Sequence, residues 1–311
     1  VHLTRILTDQ AEEFLRGCSP NQPFCLSVSF KSPHVQDGEF PPFQFDPALA
    51  DLYENDRIPV PPTATEAHFA ALPEFLQKSE GRVRWGQRFA TPEMYQDSVK
   101  GYLRLISGVD RAVGEILECL EQQGALDRTV ILFTSDNGFF LGEHGLAGKW
   151  LMYEESIRIP MILWHPCFPP SQRGQKIDKM TLNIDIAPTI LDLAGLQVPP
   201  WMQGRSLMPL ASGKSVPWRQ EWFYEHLFTH PAIPKNEGVR TERWKYIRYM
   251  EQDPIYEELY DLENDPVEEH NLVGSSSHRQ ILDGLRGRRE KWIQSLENWK
   301  LESPVPWQEP V

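Results

Sequence analysis

Apolar and polar positions follow two different rhythms along this chain, and the change of rhythm divides it. Near the start, Ile6, Leu7, Ala11, Phe14 and Leu15 recur at helical spacing and stop at Gly17, which predicts an amphipathic helix over residues 4–17. The strongest stripe lies between 93 and 124. There Tyr95, Val99, Tyr102, Leu103, Ile106, Val113, Ile116, Leu117 and Leu120 share one face ahead of Gly124, a natural C-cap. Three short apolar runs read as buried strands: "PFCLSVSFK" (23–31), "TVILFTSD" (129–136), which is nearly continuous as in parallel sheets, and "IRIPMILWHP" (157–166). "TLNIDIAPTILDLAG" (181–195) starts a further helix with Pro188 near its first turn. From "SPH" to residue 90 the chain is Pro-rich and irregular, a long loop of the kind that is usually functional inside a compact domain. The order helix, strand, helix, strand, strand, helix predicts an α/β sheet with helices on both faces.

After residue 215 the texture changes. "QEWFYEHL", "GVRTERWKYIRYM" and "EELYDLENDP" are short, aromatic and alternating, with polar turns between them, and predict a small antiparallel sheet. "HRQILDGLRGRREKWIQSLENWK" (278–300) is an amphipathic helix suited to pack across it. The expected boundary lies in "ASGKSVP", dividing the chain into residues 1–212 and a small α+β unit of residues 213–311.

Composition narrows the function classes. The 311 residues, 40% hydrophobic and 24% charged, suit a globular protein, with length for one large domain or two. A net charge of -13 and no basic stripe argue against a nucleic-acid partner, because phosphate contacts need clustered Lys and Arg. No apolar run reaches the roughly 20 residues a bilayer span needs. The chain starts at Val1 with no signal-like segment, so either a natural start was removed or the chain is part of a longer product. The four cysteines, Cys18, Cys25, Cys119 and Cys167, have no metal-type spacing, and there is no Asn-x-Ser/Thr sequon.

The candidate chemistry gathers in "TSDNGFFLGEHGLAGKW" (134–150). Ligands of open α/β sheets bind beyond the carboxyl ends of strands, where Asp136 and Asn137 sit. Two neighbouring oxygen ligands suit a hard cation such as calcium or magnesium. On the tripeptide alone, a plain Asp-Asn-Gly turn is an equally physical reading.

The wider stretch "SDNGFFLGEHGLAGKWLMYEESIRIPMI" resembles a hallmark segment of the type I sulfatases in the alkaline-phosphatase superfamily. "PFCLSVSFKSPH", "NIDIAPTILDLAG", "MQGRSLMPL", "RTERWKYIRY" and "ELYDLENDPVEEHNL" are similar to that family's other landmarks, in the same order. The resemblance implies a mixed, mostly parallel sheet flanked by helices, incomplete here, with a small C-terminal antiparallel sheet plus helix. It implies that Asp136 and Asn137 are two ligands of a Ca²⁺ ion, with Mg²⁺ as the other hard cation they suit; zinc-using phosphatase relatives carry Asp-His there. Lys149 would hold the sulfate oxygens, and His34 would protonate the leaving group. Glu143 and His144 either line the pocket or hold its loop. Arg205 and Lys31 either contact substrate or brace the backbone. The implied partner is a sulfated small molecule or glycan, with no nucleic acid and no membrane span, and the implied location is periplasmic or secreted.

One part of the pattern departs. The family's nucleophile is a formylglycine made in Cys/Ser-x-Pro-Ser-Arg, whereas "CSPNQ" (18–22) has Asn21 and Gln22 in place of Ser and Arg and lies just before the His34 strand. It reads as a decoy. The expected nucleophile, two further metal-binding aspartates and the upstream Lys and His belong to an N-terminal sulfatase portion that this chain does not hold, so the chain alone is expected to be inactive. Two other readings stay open: a truncated homologue that binds or scaffolds, and a phosphodiester or phosphonate hydrolase of the same superfamily.

Overall fold

The computed structural model describes residues 2–19 and 21–302. Helix α1 (Leu3–Gly17) is capped by His2, whose Nδ1 accepts the Thr4 N–H at 3.3 Å. It packs along α5 (Pro92–Gln122), the 31-residue helix of the strong stripe, which opens with Thr91 as N-cap and Pro92 in its first turn. The face α1 buries is Thr4, Thr8, Ala11 and Leu15, not the whole expected stripe. Ile6 and Phe14 stay open, because α5 covers α1 from one side only.

The Pro-rich stretch is not throughout the irregular loop expected above. It holds α2 (Glu66–Ala71), α3 (Glu74–Gln77) and α4 (Glu80–Arg88). The Thr65 hydroxyl accepts the His68 N–H to cap α2, and Ser79 stands at the N-cap of α4. Helices this short carry too few apolar residues to show a period.

The central strands also differ from expectation. Strand β1 (Ile131–Thr134) pairs antiparallel with β4 (Met161–Trp164), in register Ile131 to Trp164, so the pairing present is not the parallel one. An unbroken apolar run shows that both faces are covered and says nothing about direction. The expected strand over 23–31 is extended but unpaired among the described residues. It keeps a two-residue rhythm, with Phe24, Leu26, Val28 and Phe30 half-buried and Cys25, Ser27 and Ser29 exposed. Phe24, Leu26 and Ile131 share a cluster with Leu15, Cys119 and Leu120.

A short hairpin of β2 (Phe140–Leu141) and β3 (Ala147–Gly148) follows β1, and then α6 (Glu154–Ile157) leads into β4. Helices α7 (Ile186–Leu193) and α8 (Met208–Ala211) precede the second sheet. That sheet is the expected antiparallel meander, β5 (Glu221–His226), β6 (Asn236–Thr241), β7 (Trp244–Tyr249) and β8 (Tyr256–Asp261) in spatial order. Helix α9 (Arg279–Glu302) covers one face, setting Leu282 and Leu285 on Val239, Tyr246 and Leu259.

The other face is covered by the segment around the β2–β3 hairpin. Phe140, Leu146, Met152 and Tyr153 join Ile247, Tyr249 and Tyr260 in one buried cluster, which crosses the expected boundary at residue 212. The approach is close at Gly238, where a Cβ would lie 2.1 Å from the Tyr246 carbonyl oxygen and 2.5 Å from Met152 Sδ. The meander is therefore the floor on which the candidate chemistry rests.

Candidate active site

The turn after β1 is built by local hydrogen bonds. Asp136 Oδ1 accepts the Asn137 N–H at 2.9 Å, the Ser135 hydroxyl donates to the Asn137 carbonyl at 3.0 Å, and Asn137 Nδ2 donates to the Gly138 carbonyl at 2.7 Å. Gly138 is required by space. Its N–H donates to Ser156 O at 2.8 Å, and a Cβ there would lie 2.1 Å from Glu155 O. The exposed Asp136 carboxylate and the amide oxygen of Asn137 remain as outward donors. In donor type they fit a hard cation. In number they fall short, since such an ion takes six or more oxygens, and the described residues add no His, Cys, Asp or Glu to them as a cluster.

Between this turn and Lys149 the backbone is unusually bent. Gly142, His144, Gly145, Gly148 and Trp150 all take positive φ, and His144 (+55°) and Trp150 (+83°) do so without being glycine. Such conformations persist only where the surroundings over-determine them. Those surroundings are visible. The Glu143 carboxylate accepts the Leu141 N–H at 2.5 Å, and burial pushes its pKa up. The His144 N–H donates to Thr63 O at 3.0 Å, and its ring lies 5.0 Å from that of Tyr153. Burial, seconded by the charge of His68, pushes the imidazole pKa down to about 4, so His144 is neutral at pH 7. The Glu143 side chain is engaged with the loop itself, and the His144 ring packs against Tyr153 and His68.

Lys149 is different. It is half-buried, and its ammonium has no hydrogen-bond or carboxylate partner among the described residues. It lines a small cavity between Ser79 and Gly81 on one side and Ala232, Ile233 and Pro234 on the other. The next residue, Trp150, is gripped from the meander. Its carbonyl accepts Asn236 Nδ2–H at 2.8 Å and the Tyr224 hydroxyl at 3.3 Å, and Asn236 is 0% exposed. The Arg84 guanidinium stands 5.2 Å over the Trp150 ring and also donates to Asp37 at 3.0 Å.

The His34 loop meets this group through packing. The His34 N–H donates to Lys31 O at 2.9 Å, while the Lys31 ammonium bonds Gln36. His34 Nδ1 lies 2.8 Å from Val35 O, an acceptor only, so Nδ1 carries the proton and Nε2 is the nitrogen left to act on a ligand. Val35 packs with Phe43, Leu105 and Phe139, two residues beyond Asn137. Arg88, buried with Nε and Nη1 unpartnered, stands 5.9 Å over the Phe139 ring, and burial lowers its pKa to about 10. Val35, next to His34, thus touches Phe139 near Asn137, and Arg84 spans from Asp37 in the same loop to Trp150 beside Lys149.

Arg205 takes part in a different network. Its N–H donates to Asp185 at 2.8 Å, its exposed side chain lies over Trp218, and Asp185 is paired with Arg219. Cys18 caps the carboxyl end of α1, and Pro20 of the same motif lies outside the described residues. Asn236, Tyr224, Arg84 and Arg88 had no signal in the sequence. They act on a backbone carbonyl, a ring and each other, and no spacing rule records such contacts.

Comparison with known proteins follows this geometry. The sulfatase family model matches residues 2–196, and the model described as N-sulphoglucosamine sulphohydrolase, C-terminal, matches residues 142–295. The chain is 30% identical over 335 residues to an N-acetylglucosamine-6-O-sulfatase of Bacteroides thetaiotaomicron, covering 89% of this chain and 59% of that protein. It is 36% identical over 266 residues to a choline-sulfatase of Rhizobium meliloti, covering 81% of this chain and 46% of that one. The chain therefore spans only 59% and 46% of the lengths of these relatives. A solved protein in complex with its substrate D-glucosamine-2-N,6-O-disulfate superposes with a TM-score of 0.79 at 27% identity, covering 97% of this chain and 71% of that one.

Proposed function

The chain belongs to the sulfatase family, and from that premise we propose that it forms part of a sulfuric ester hydrolase acting on a sulfated carbohydrate. The observation that carries this reading is Lys149, a half-buried cation with no internal partner among the described residues, set on a strained loop that Glu143, the His144 backbone and the meander hold in place. An ammonium kept unpaired in such a setting is organised for an anion. A sulfate oxygen would complete it, and the charge that grows as the S–O bond breaks would strengthen the contact. With Nδ1–H held on Val35 O, the doubly protonated His34 ring would deliver the Nε2 proton to the departing oxygen. The sugar assignment rests on the N-acetylglucosamine-6-O-sulfatase and on the disulfated glucosamine bound by the structural relative.

Asp136 and Asn137 would hold one side of a Ca²⁺ ion, which when bound adds positive charge beside the sulfate. The remaining ligands and the formylglycine nucleophile belong, in this proposal, to an N-terminal sulfatase portion that pairs with the extended 23–31 segment and β1. The unpaired backbone of 23–31 and the two-oxygen metal site both support that reading.

The test is Lys149→Ala in the assembled enzyme, assayed on an aryl sulfate and an aryl phosphate in parallel. Turnover of sulfate is expected to fall about a hundredfold or more, the usual loss for a group that stabilises developing charge. A fall under threefold would remove Lys149 from the chemistry, and preferential phosphate turnover by the parent would favour the phosphodiester or phosphonate reading. Intact mass of the native material separates the binding-protein reading: a single 36.0 kDa species with no companion sequence would overturn the two-part enzyme.

A further inference from the structure

A second cluster of metal-type side chains lies away from Asp136 and Asn137, in the turn that follows β8. Asp265, Glu269 and His270 each offer a ligand atom, and these atoms all lie within 4.8 Å of one another. The turn is rigid where it needs to be. Asp265 accepts the backbone N–H groups of Glu269 and His270 at 3.0 and 2.9 Å, which fixes one carboxylate beneath the other two groups.

A fourth group reaches in from α2. His68 Nε2 meets Glu269 Oε1 at 2.6 Å, and its Nδ1 lies 2.6 Å from the Thr65 hydroxyl. Metal-ligating histidines are commonly oriented in this way, with one ring nitrogen fixed by a hydrogen bond and the other left for the ion. His144 lies beside them: 3% exposed, with Nε2 buried and unpartnered, its ring edge-on to His68 at 6.4 Å. The backbone of Val267 and the carboxylates of Asp265 and Glu269 lie close enough to act on its charge. His68 is thus in direct contact with Glu269, and His144 is in ring contact with His68.

We propose that Asp265, Glu269 and His270, with His68 as fourth ligand, bind a divalent transition ion of the zinc class. The donor set is mixed imidazole and carboxylate with no thiolate, which favours zinc over calcium or magnesium. Zinc–ligand bonds of about 2.0–2.2 Å require the four groups to draw closer. The His270 side chain, 76% exposed, has the freedom to do so. An ion held there would take the place of the direct His68–Glu269 contact. Bound there, it fastens α2 to the 265–270 turn next to His144, and so braces the Lys149 loop from outside.

The test is titration of zinc chloride, and separately calcium chloride, into the metal-free full chain, followed by calorimetry. One equivalent of Zn²⁺ is expected, with no matching uptake of Ca²⁺ at that site. Glu269→Gln and His270→Ala should each weaken zinc binding at least tenfold, and His68→Ala about tenfold, while Asp136→Asn leaves it unchanged. Hydrogen exchange across residues 65–71 should slow when zinc is added and should not respond in the Glu269→Gln chain. No saturable zinc uptake, or uptake within threefold of the parent in both Glu269→Gln and His270→Ala, would overturn the proposal. Loss of binding in Asp136→Asn alone would place the ion at the strand-end turn instead and overturn it equally.

Discussion

The meander and the β1–β4 layer are made of the same kinds of residue and solve the burial problem differently. In the meander every inner strand has two neighbours, α9 covers one face, and the β2–β3 segment covers the other. Its buried charges are also accounted for. Lys245, fully buried, lies 2.8 Å from both Glu154 and Glu268, and the Tyr153 and Tyr249 hydroxyls donate to Glu258 at 3.1 Å. Among the described residues, the β1–β4 layer has one strand pair, an extended segment with no partner, and large apolar side chains at the surface: Ile162 is 60% exposed on β4, and Phe14 is 43% exposed on α1. The difference lies in how far apart in sequence the contacts are. A unit whose contacts are local closes on itself, while the β1–β4 layer, among the described residues, leaves edges and apolar side chains open.

That contrast can be broken or sharpened by four measurements. The largest effect is expected from Gly238→Ala, which drives a methyl into the Tyr246 carbonyl and Met152. Overpacking against backbone should cost at least about 3 kcal/mol in urea unfolding, and a cost below ~1 kcal/mol would mean the meander yields more easily than its packing implies. Next is Asn236→Ala, which removes the donors to Trp150 O and Pro234 O. The expected loss is about 2 kcal/mol. In the assembled enzyme kcat should fall more than KM rises, since the strained Lys149–Trp150 backbone relaxes; an unchanged kcat would show that the grip does not position Lys149.

Two buried groups give opposite pH slopes of at most about 1.4 kcal/mol per pH unit each. Burial raises Glu258 from 4.5 to about 8, so the folded state holds the extra proton and stability falls as pH rises across that window. Burial lowers His144 from 6.5 to about 4, so the unfolded state holds the extra proton and stability falls as pH drops across that window. Glu258→Gln should flatten the first slope and leave the second, as read from urea midpoints between pH 4 and 8. If the first slope survives, the proton sits elsewhere in the network. The smallest effect is expected from Ile162→Thr, under about 0.5 kcal/mol in this chain because the site is open to water. A cost near that of a core substitution would show that this face is already covered.

The parts legible in the sequence are those whose signal is local. "RWKYIRY" declares β7 by alternation, and the nine-residue stripe declares α5, although the side chains α5 buries include Leu105 and Val109, which the stripe omitted. The run "TVILFTSD" declares a strand but not its antiparallel partner, because apolarity on both faces carries no direction. Residues 23–31 declare an extended conformation whose pairing depends on something outside the run. At the candidate site, Asp136, Lys149 and His34 are proposed through their family context. Asn236 is not: it lies 86 residues from the Trp150 carbonyl it holds, and a buried amide has no distinctive neighbours in sequence.

The cavity beside Lys149 has one wall made of Ala232, Ile233 and Pro234, in the connection between β5 and β6. That connection is tied down at few points, a bridge between His230 and Ile233 and the bond from the Glu80 N–H to Ala232 O at 2.7 Å. Insertions and exchanges there would leave the meander's register untouched while reshaping what fits against the ammonium. Exchanges in this one connection would then refit the space beside Lys149 while the strands beneath it stay as they are.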